Sequence, residues 1–399
     1  MLTTAEASQS VQSHMPLFDS EDIPVDKAAG RVLQQSVRAE RDQPPFDRVT
    51  MDGIAIDHGA FAAGRRTFAI QGTQHAGEPA QTLTAESNCI EIMTGAVRPE
   101  GADCIVPVER IRIEGTQATI EDDYAATQHQ FVHPQGSDYR KDDKVLNAGI
   151  VVSPLEIAII ASCGLTEVRV CRQPVVRVIS TGDELVPSGS PVAPHQVRLS
   201  NGPAIAAMLA RHGYADTAQE HLLDEPELLR RRLGGHLDAA DVLILSGGVS
   251  MGKADFVPGV LRELGVEVVF HKISQRPGLP MWFGIGPDKQ AVFALPGNPV
   301  STLVCCRQYV LPALDYASGL ASAAIETAAL AEDVVFEPQL TCFLPVRIEE
   351  SGDARIGAVP VPTNTSGDFR SLSGTDGYVE LERDASRFAA GTIVPLHRW

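Results

Sequence analysis

Three short stretches of the chain place glycines beside carboxylates or amides directly after apolar runs. They read VVRVISTGDEL (175–185), LILSGGVSMGKAD (243–255) and AVFALPGNPVSTL (291–303). Glycines let backbone N–H groups approach an anion, so the second and third stretches are suited to binding phosphate. Nearby acids would repel that phosphate unless a divalent cation lay between them, and Mg²⁺ takes one or two carboxylates together with phosphate oxygens. These residue types therefore support metal-assisted attack on a phosphoryl group.

The candidate residues fall into acids, anion-binding loop residues and cations. The acids are Asp52, Asp138, Glu184, Asp224 and Asp255; the loop residues are Gly247, Gly248, Ser250, Gly297, Asn298 and Ser301; the cations, in HKISQRPGLP, are Lys272 and Arg276. Each has a plainer interpretation, because glycine turns commonly join strands to helices and loop charges are usually solvated. The stretches match neither a P-loop nor the dinucleotide-binding GxGxxG pattern, which disfavours those two chemistries.

Short apolar runs alternating with amphipathic helices must position these loops. The runs VVRVIS, DVLILS, VEVVFH and AVFALP are separated by helical segments between about residues 174 and 317. This alternation predicts βαβ units and a mostly parallel sheet covered on both faces. Ligands of such sheets bind where the strands' carboxyl ends meet the following loops, so we expect the three stretches to converge there.

The rest of the chain is predicted to be largely β-structure. Residues 54–135 and 327–399 carry short strand-like runs between glycines and polar turns, and 145–173 reads as strand, helix and strand. An N-terminal helix is expected after a Thr3 or Thr4 cap, with Ala5, Val11 and Met15 on one face.

Composition excludes several classes of function. The chain has 399 residues, enough for about two to four domains, and a net charge of −18 without a basic run, which argues against a nucleic-acid-binding protein. No apolar run approaches a membrane span, and the N-terminus does not read as a signal peptide. Seven scattered cysteines without a Cys-x-x-Cys pair indicate reduced thiols in a cytoplasmic protein.

The ordered set of motifs resembles the MoeA family, the molybdopterin molybdenumtransferases, which includes the E domain of gephyrin. The motifs are PPFDRVTMDGIAI, IMTGAVRPEGAD, STGDEL, SGGVSMGKADF, RPGLP and ALPGNPVS. The resemblance implies a multidomain α/β plus β protein with four domains. They are a discontinuous domain (1–45 and 139–173), an inserted β-rich domain (46–138), an α/β domain shared with molybdopterin adenylyltransferases (174–317) and a C-terminal barrel-like domain (318–399).

The resemblance also implies a reaction, a cofactor and partners. With Mg²⁺, adenylylated molybdopterin is hydrolysed, AMP leaves, and molybdate enters the pterin dithiolene. The protein is expected to be a homodimer, with contacts to molybdopterin adenylyltransferase or to acceptor molybdoenzymes. An adenylyltransferase-like enzyme is one alternative, which the extra domains and the MDG and TGA motifs disfavour. A non-catalytic molybdopterin-binding scaffold is the other, which the presence of all five acids disfavours.

Family roles carry over to individual positions. The resemblance places Asp52, Asp138, Glu184, Asp224 and Asp255 in the active-site cleft, with Glu184, Asp224 and Asp255 as metal ligands. It adds Thr94 to the cleft and turns Lys272 and Arg276 toward molybdate or phosphate. It also places Ser366 and Ser371 in a segment that approaches the partner subunit's cleft.

Two stretches depart from the family pattern. RPGLP stands where KPGKP is usual, so that Arg276 keeps a positive charge and Leu279 removes one. Arg198-Leu199-Ser200-Asn201 replaces a Tyr-Asp-Ser/Thr-Asn stretch. Both changes lie in the predicted oxyanion region, which favours testing tungstate beside molybdate.

Overall fold

A computed structural model of the chain describes residues 1–248, 256–322, 324–350, 356–363, 365 and 367–399. Its centre is a six-stranded sheet with helices on both faces. In sheet order the strands are Thr217–Leu222, Val176–Thr181, Val242–Ser246, Ala291–Leu295, Trp282–Ile285 and Glu267–His271. The first four strands are parallel to one another, and Trp282–Ile285 is antiparallel to both of its neighbours, so that Glu267–His271 runs in the same direction as the first four. The predicted mostly parallel α/β domain is therefore confirmed.

Side chains from both faces of the central sheet enter apolar cores. Val178 and Ile244 belong to one core, and their chain neighbours Ile179 and Leu245 belong to the other. Alternate residues of a strand point to opposite faces, so the apolar runs reflect burial on both sides. The helices that cover the sheet are Asn201–Arg211, Pro226–Leu237, Val257–Glu263, Pro299–Cys305 and Leu311–Ala317, with a π-helical segment at Cys306–Val310.

The N-terminal helix Thr4–His14 packs on the central sheet. Thr3 caps it in a capping box with Glu6, as its sequence suggests. Ala7, Val11 and Met15 join the core of the α/β unit. Ala5 is exposed; a spacing of four residues between Ala7, Val11 and Met15 is what places them on one face.

Two units form the N-terminal half. Three antiparallel strand pairs join its two ends. They are Ser20–Pro24 with Glu167–Cys171, Val37–Arg38 with Lys144–Leu146, and Arg48–Val49 with Val132–His133. Between them a six-stranded sheet runs, in sheet order, Cys104–Pro107, Gly53–Ile56, Asn88–Ile92, Thr67–Gln74, Gln117–Ile120 and Ile111–Glu114. Helices lie at His58–Ala62 and Pro154–Ser162, and 3-10 turns at Val25–Lys27 and Val108–Arg110.

The C-terminal region closes into a five-stranded barrel, as predicted. Around the barrel the strands are Thr341–Glu350, Ile356–Pro360, Glu326–Leu330, Ile393–Arg398 and Gly377–Leu381, and the last pairs with the first. Gln275–Arg276 adds a short parallel strand to the barrel's first strand and so joins it to the central unit. The remaining short elements are Leu185–Val186 with Val197–Arg198, Val334–Val335 with Arg387–Phe388, and a 3-10 turn at Phe369–Leu372.

Within the described residues, no helix combines the length and the apolarity needed to cross a membrane.

Candidate active site

The carboxyl ends of three neighbouring parallel strands meet at one edge of the central sheet. Ser180 is in register with Ser246, and Ser246 with Leu295. The loops that follow these residues are the three stretches that sequence analysis selected. The predicted convergence is therefore what the sheet topology produces.

These loops surround a cavity of about 930 Å³, here called the strand-end cavity. Of the predicted site residues, Glu184, Asp224, Gly247, Gly248, Gly297 and Asn298 line it. Thr181, Arg198 and Asn201 line it as well. The cavity thus brings two carboxylates and two glycine turns to one place.

The Gly247–Gly248 turn admits no other residue without strain. Both residues have positive φ, +97° and +65°. A Cβ on Gly247 would lie 2.5 Å from the carbonyl oxygen of Thr181, and a Cβ on Gly297 would lie 3.5 Å from the Cα of Gly247. The two glycine turns therefore lie close together, and bare backbone faces the cavity where an anion would bind.

Asn201 ties the two glycine turns together, and sequence analysis did not assign it a role. Its Nδ2 donates to Ser246 Oγ at 2.8 Å, to the carbonyl of Gly297 at 2.8 Å and to Thr302 Oγ1 at 3.1 Å. It is the first residue of the helix Asn201–Arg211. Its only sequence signal was a polar residue at a helix start, which is equally typical of an ordinary cap.

Glu184 and Asp224 supply the acids of the strand-end cavity. The backbone N–H of Asp224 donates to Asp183 Oδ1 at 2.9 Å, which joins the loops after two adjacent strands. Among the described residues no group of three or more His, Cys, Asp or Glu could hold a metal ion. Two lining carboxylates would still suit Mg²⁺, which proteins commonly bind through one or two carboxylates together with substrate phosphates.

A second cavity of about 680 Å³, the barrel-side cavity, adjoins the first and shares Pro280, Pro296 and Asn298 with it. It lies between the RPGLP loop and the barrel strand Thr341–Glu350. Arg276 is the only cation among its described lining residues, and Ser301 lines it too. Leu279 contributes an apolar side chain here.

A buried polar network holds the loop that carries Arg276. Gln275 is fully buried, and its Nε2 donates to the carbonyl of Pro277 at 3.0 Å. Its Oε1 accepts a hydrogen bond from the hydroxyl of Tyr309. A Cβ on Gly278 would collide with Cys305 Sγ and lie 2.6 Å from Gln275 Nε2, so the loop is closely packed. Burial raises the pKa of Tyr309, which keeps the hydroxyl protonated as a donor.

We expect Tyr309→Phe to lower the free energy of unfolding by about 1–3 kcal/mol, because it leaves Gln275 Oε1 buried without this donor. Urea denaturation measures the change. Tyr316→Phe is the matched control, since Tyr316 is 44% exposed and should tolerate the loss of its hydroxyl. Equal urea midpoints for Tyr309→Phe and the wild type would show that the hydrogen bond from Tyr309 to Gln275 does not stabilise the fold.

Two predicted residues of the N-terminal half lie in contact with each other. Asp52 Oδ1 accepts a hydrogen bond from the backbone N–H of Thr94 at 2.6 Å. Hydrogen bonding by the backbone and side chain of Thr94 lowers the pKa of Asp52. Asp138 instead contacts His133, with 3.1 Å between Asp138 Oδ1 and His133 Nε2. None of these three predicted residues lines either of the two cavities in this chain.

The remaining predicted residues lie in three situations. Lys272, with φ +76°, lines neither cavity. Ser371 is 9% exposed and donates to the carbonyl of Asp368 at 2.6 Å. Gly367 and Phe369 of its segment line the strand-end cavity of their own chain, whereas the resemblance implied the partner's. Ser250, Asp255 and Ser366 lie outside the described residues.

Comparisons with known proteins cover the whole length of the chain. Three family models match: "MoeA N-terminal region (domain I and II)" over residues 2–164, "Probable molybdopterin binding domain" over 177–316, and "MoeA C-terminal region (domain IV)" over 327–399. A protein of Synechocystis named molybdopterin molybdenumtransferase is 38% identical over 100% of both chains. One of Synechococcus elongatus with the same name is 32% identical over 94% of each.

A solved structure supports the same assignment. The molybdopterin biosynthesis MoeA protein from Pyrococcus horikosii matches with a TM-score of 0.83 and 30% identity, covering 100% of this chain and 99% of that one. The family models, the full-length relatives and the four-part architecture agree. The chain belongs to the MoeA family.

Proposed function

We propose that the chain is a molybdopterin molybdenumtransferase. It hydrolyses adenylylated molybdopterin with Mg²⁺, releases AMP and inserts molybdate into the dithiolene. The names of its relatives support a transferase of molybdenum cofactor biosynthesis. The observation that carries the finer proposal is the strand-end cavity, in which two glycine turns and two carboxylates lie together.

Different lining residues bind the phosphates and the metal ion. In the Gly247–Gly248 turn the backbone N–H of Gly248 binds a substrate phosphate oxygen, while that of Gly247 donates to the carbonyl of Leu295. Asn298 lies where the two cavities join. Glu184 and Asp224 would hold Mg²⁺ beside the bound phosphates. When bound, the ion polarises the phosphoryl group for attack by water. No cysteine or serine nucleophile is needed, because the ligand brings its own sulfur atoms.

Arg276 binds the oxyanion in the barrel-side cavity. A guanidinium matches an oxyanion through two parallel N–H donors, which a lysine does not offer. Leu279 leaves the described lining with this single cation. Discrimination between molybdate and tungstate therefore rests on Arg276 and on the shape of a cavity whose lining also includes Glu337.

A homodimer in the cytoplasm is the proposed setting. The helix Pro154–Ser162 carries Leu155 with 73% exposure, and nearby Val151 is 46% exposed, a surface suited to a second copy. All seven cysteines are free and buried, which is typical of a reducing compartment. A molybdopterin adenylyltransferase would supply the substrate, and acceptor molybdoenzymes would take the product.

The direct test supplies purified protein with adenylylated molybdopterin, molybdate and Mg²⁺. We expect AMP release together with reconstitution of a cofactor-free molybdoenzyme. Omitting Mg²⁺ should stop AMP release, and tungstate in place of molybdate reports oxyanion choice. AMP release equal to that of a protein-free control would refute the enzymatic proposal. Synthesis of adenylylated molybdopterin from ATP would favour the adenylyltransferase alternative, and binding without turnover the scaffold.

A further inference from the structure

Within the described residues the hydroxyl of Thr181 has no hydrogen-bond partner, although Thr181 is buried. Thr181 ends the strand Val176–Thr181 and is 2% exposed. Its Oγ1 is closed to solvent and unpaired in the part of the chain that the structure describes. Buried polar groups are nearly always paired, because leaving one unpaired is unfavourable. Among the described residues the hydroxyl therefore makes no hydrogen bond that stabilises the fold.

Thr181 lies directly behind the Gly247–Gly248 turn. A Cβ on Gly248 would lie 2.7 Å from Thr181 Oγ1 and 2.8 Å from Val257 Cγ2. Thr181 also lines the strand-end cavity, in the wall that this turn completes. The unpaired hydroxyl is thus separated from the anion-binding side of the cavity only by a turn without side chains.

Packing alone does not explain a threonine at this position. Thr181 points to the same face of the strand as Ile179, whose core contains Val257. Valine has the shape of threonine without the hydroxyl and would suit these apolar neighbours better. A fold that keeps an unpaired hydroxyl at such a place indicates a partner that arrives with the ligand.

We infer that Thr181 is a ligand-binding residue whose hydroxyl donates a hydrogen bond to a phosphate oxygen of the bound substrate. The inference rests on the proposed function, because it takes the substrate to be adenylylated molybdopterin. Oγ1 is covered in the free chain, so the turn moves when the ligand binds, and the freedom of two glycine backbones permits this. The phosphate is either that of the adenylyl group or that of the pterin side chain.

Two substitutions separate a binding role from a structural one. Thr181→Val keeps the shape and removes the hydroxyl, whereas Thr181→Ser keeps the hydroxyl. We expect Thr181→Val to bind one probe about tenfold more weakly, a change of about 1.4 kcal/mol. Its Tm should equal or exceed that of the wild type, because an unpaired buried polar group has been removed. Thr181→Ser should bind within about threefold of the wild type.

Calorimetric titration with AMP and with molybdopterin identifies the phosphate, since AMP carries only the first and molybdopterin only the second. Wild-type affinity of Thr181→Val for both probes overturns the inference, as does a fall in Tm that accompanies weaker binding. If the wild type releases AMP in the turnover assay and Thr181→Val binds like it, only this inference fails. If the wild type binds neither probe and releases no AMP, the proposed function fails as well.

Discussion

Asp224→Asn is expected to lower the rate of AMP release by about 10²–10³-fold, the loss typical of removing one preorganised electrostatic contact to the reacting group. The substitution keeps the size of the side chain and removes its negative charge. Asp224 lines the strand-end cavity together with Glu184 and the Gly247–Gly248 turn. A neutral amide binds Mg²⁺ much more weakly than a carboxylate, so the proposed site would lose its hold on the cation that we propose neutralises the phosphates.

The Mg²⁺ dependence of the same variant tests why the rate falls. If Asp224 holds the cation, the Mg²⁺ concentration for half-maximal AMP release should rise, and excess Mg²⁺ should restore part of the rate. Asp216→Asn is the matched control. Asp224 follows the strand Thr217–Leu222, whereas Asp216 precedes it at the opposite end, and the side chain of Asp216 is 58% exposed. Activity of Asp224→Asn within about twofold of that control would remove Asp224 from the proposed site.

The central strands were predictable because their sequences are continuous apolar runs, which indicate burial on both faces. Val242–Ser246 and Ala291–Leu295 are buried at every position, and such continuous apolar runs between helices are typical of parallel strands. The strand Thr217–Leu222 was missed. It lies at the edge of the sheet, and every residue except the last is exposed or half-buried. Its sequence TAQEHL therefore resembles that of a loop.

The antiparallel strand Trp282–Ile285 was missed for a different reason. It has four residues, and the preceding RPGLP stretch reads as one long irregular connection. Its identity as a strand comes from pairing with Ala291–Leu295 on one side and Glu267–His271 on the other. Such long-range pairing overrides local propensity and cannot be read from a short window of sequence.

The site was predictable where chemistry coincides with local sequence, and less so where it depends on geometry. Glu184, Gly247 and Gly297 follow apolar strands, so the rule for parallel sheets predicts their convergence. Thr181 and Asn201 carry no such mark. A threonine at a strand end and an asparagine at a helix start are common everywhere. Thr181 is distinguished by a buried hydroxyl without a partner among the described residues, and Asn201 by its hydrogen bonds to both glycine turns.

Asn201→Asp is expected to be the most damaging conservative substitution in the strand-end cavity. The change is nearly isosteric but replaces the donating Nδ2 with an oxygen. Ser246 can turn its hydroxyl to donate to this oxygen, whereas the carbonyl of Gly297 can only accept. The substitution therefore puts a charged oxygen 2.8 Å from a carbonyl oxygen in place of a hydrogen bond. We expect the free energy of unfolding to fall by about 3 kcal/mol at neutral pH.

The rate of AMP release should fall together with the free energy of unfolding. Repulsion at Gly297 moves the second glycine turn away from Gly247, with which it is nearly in contact. Misplacing groups by about 1 Å at a reacting phosphate can cost about 100-fold in rate, so kcat/KM for AMP release should fall by about that factor. Asn147→Asp, which adds the same charge at an exposed position, is the control for net charge.

The pH dependence of Asn201→Asp distinguishes this electrostatic cause from a packing defect. Repulsion by the Gly297 carbonyl raises the folded-state pKa of the introduced carboxyl above its unfolded value of about 3.9. A group with a raised folded pKa stabilises the fold below the unfolded pKa, and that stabilisation is lost as the pH rises through the folded pKa. The deficit relative to the Asn147→Asp control should therefore shrink as the pH falls from 7 toward about 4. Chemical denaturation across this range measures it, and a deficit independent of pH would indicate misplaced packing instead of a lost donor.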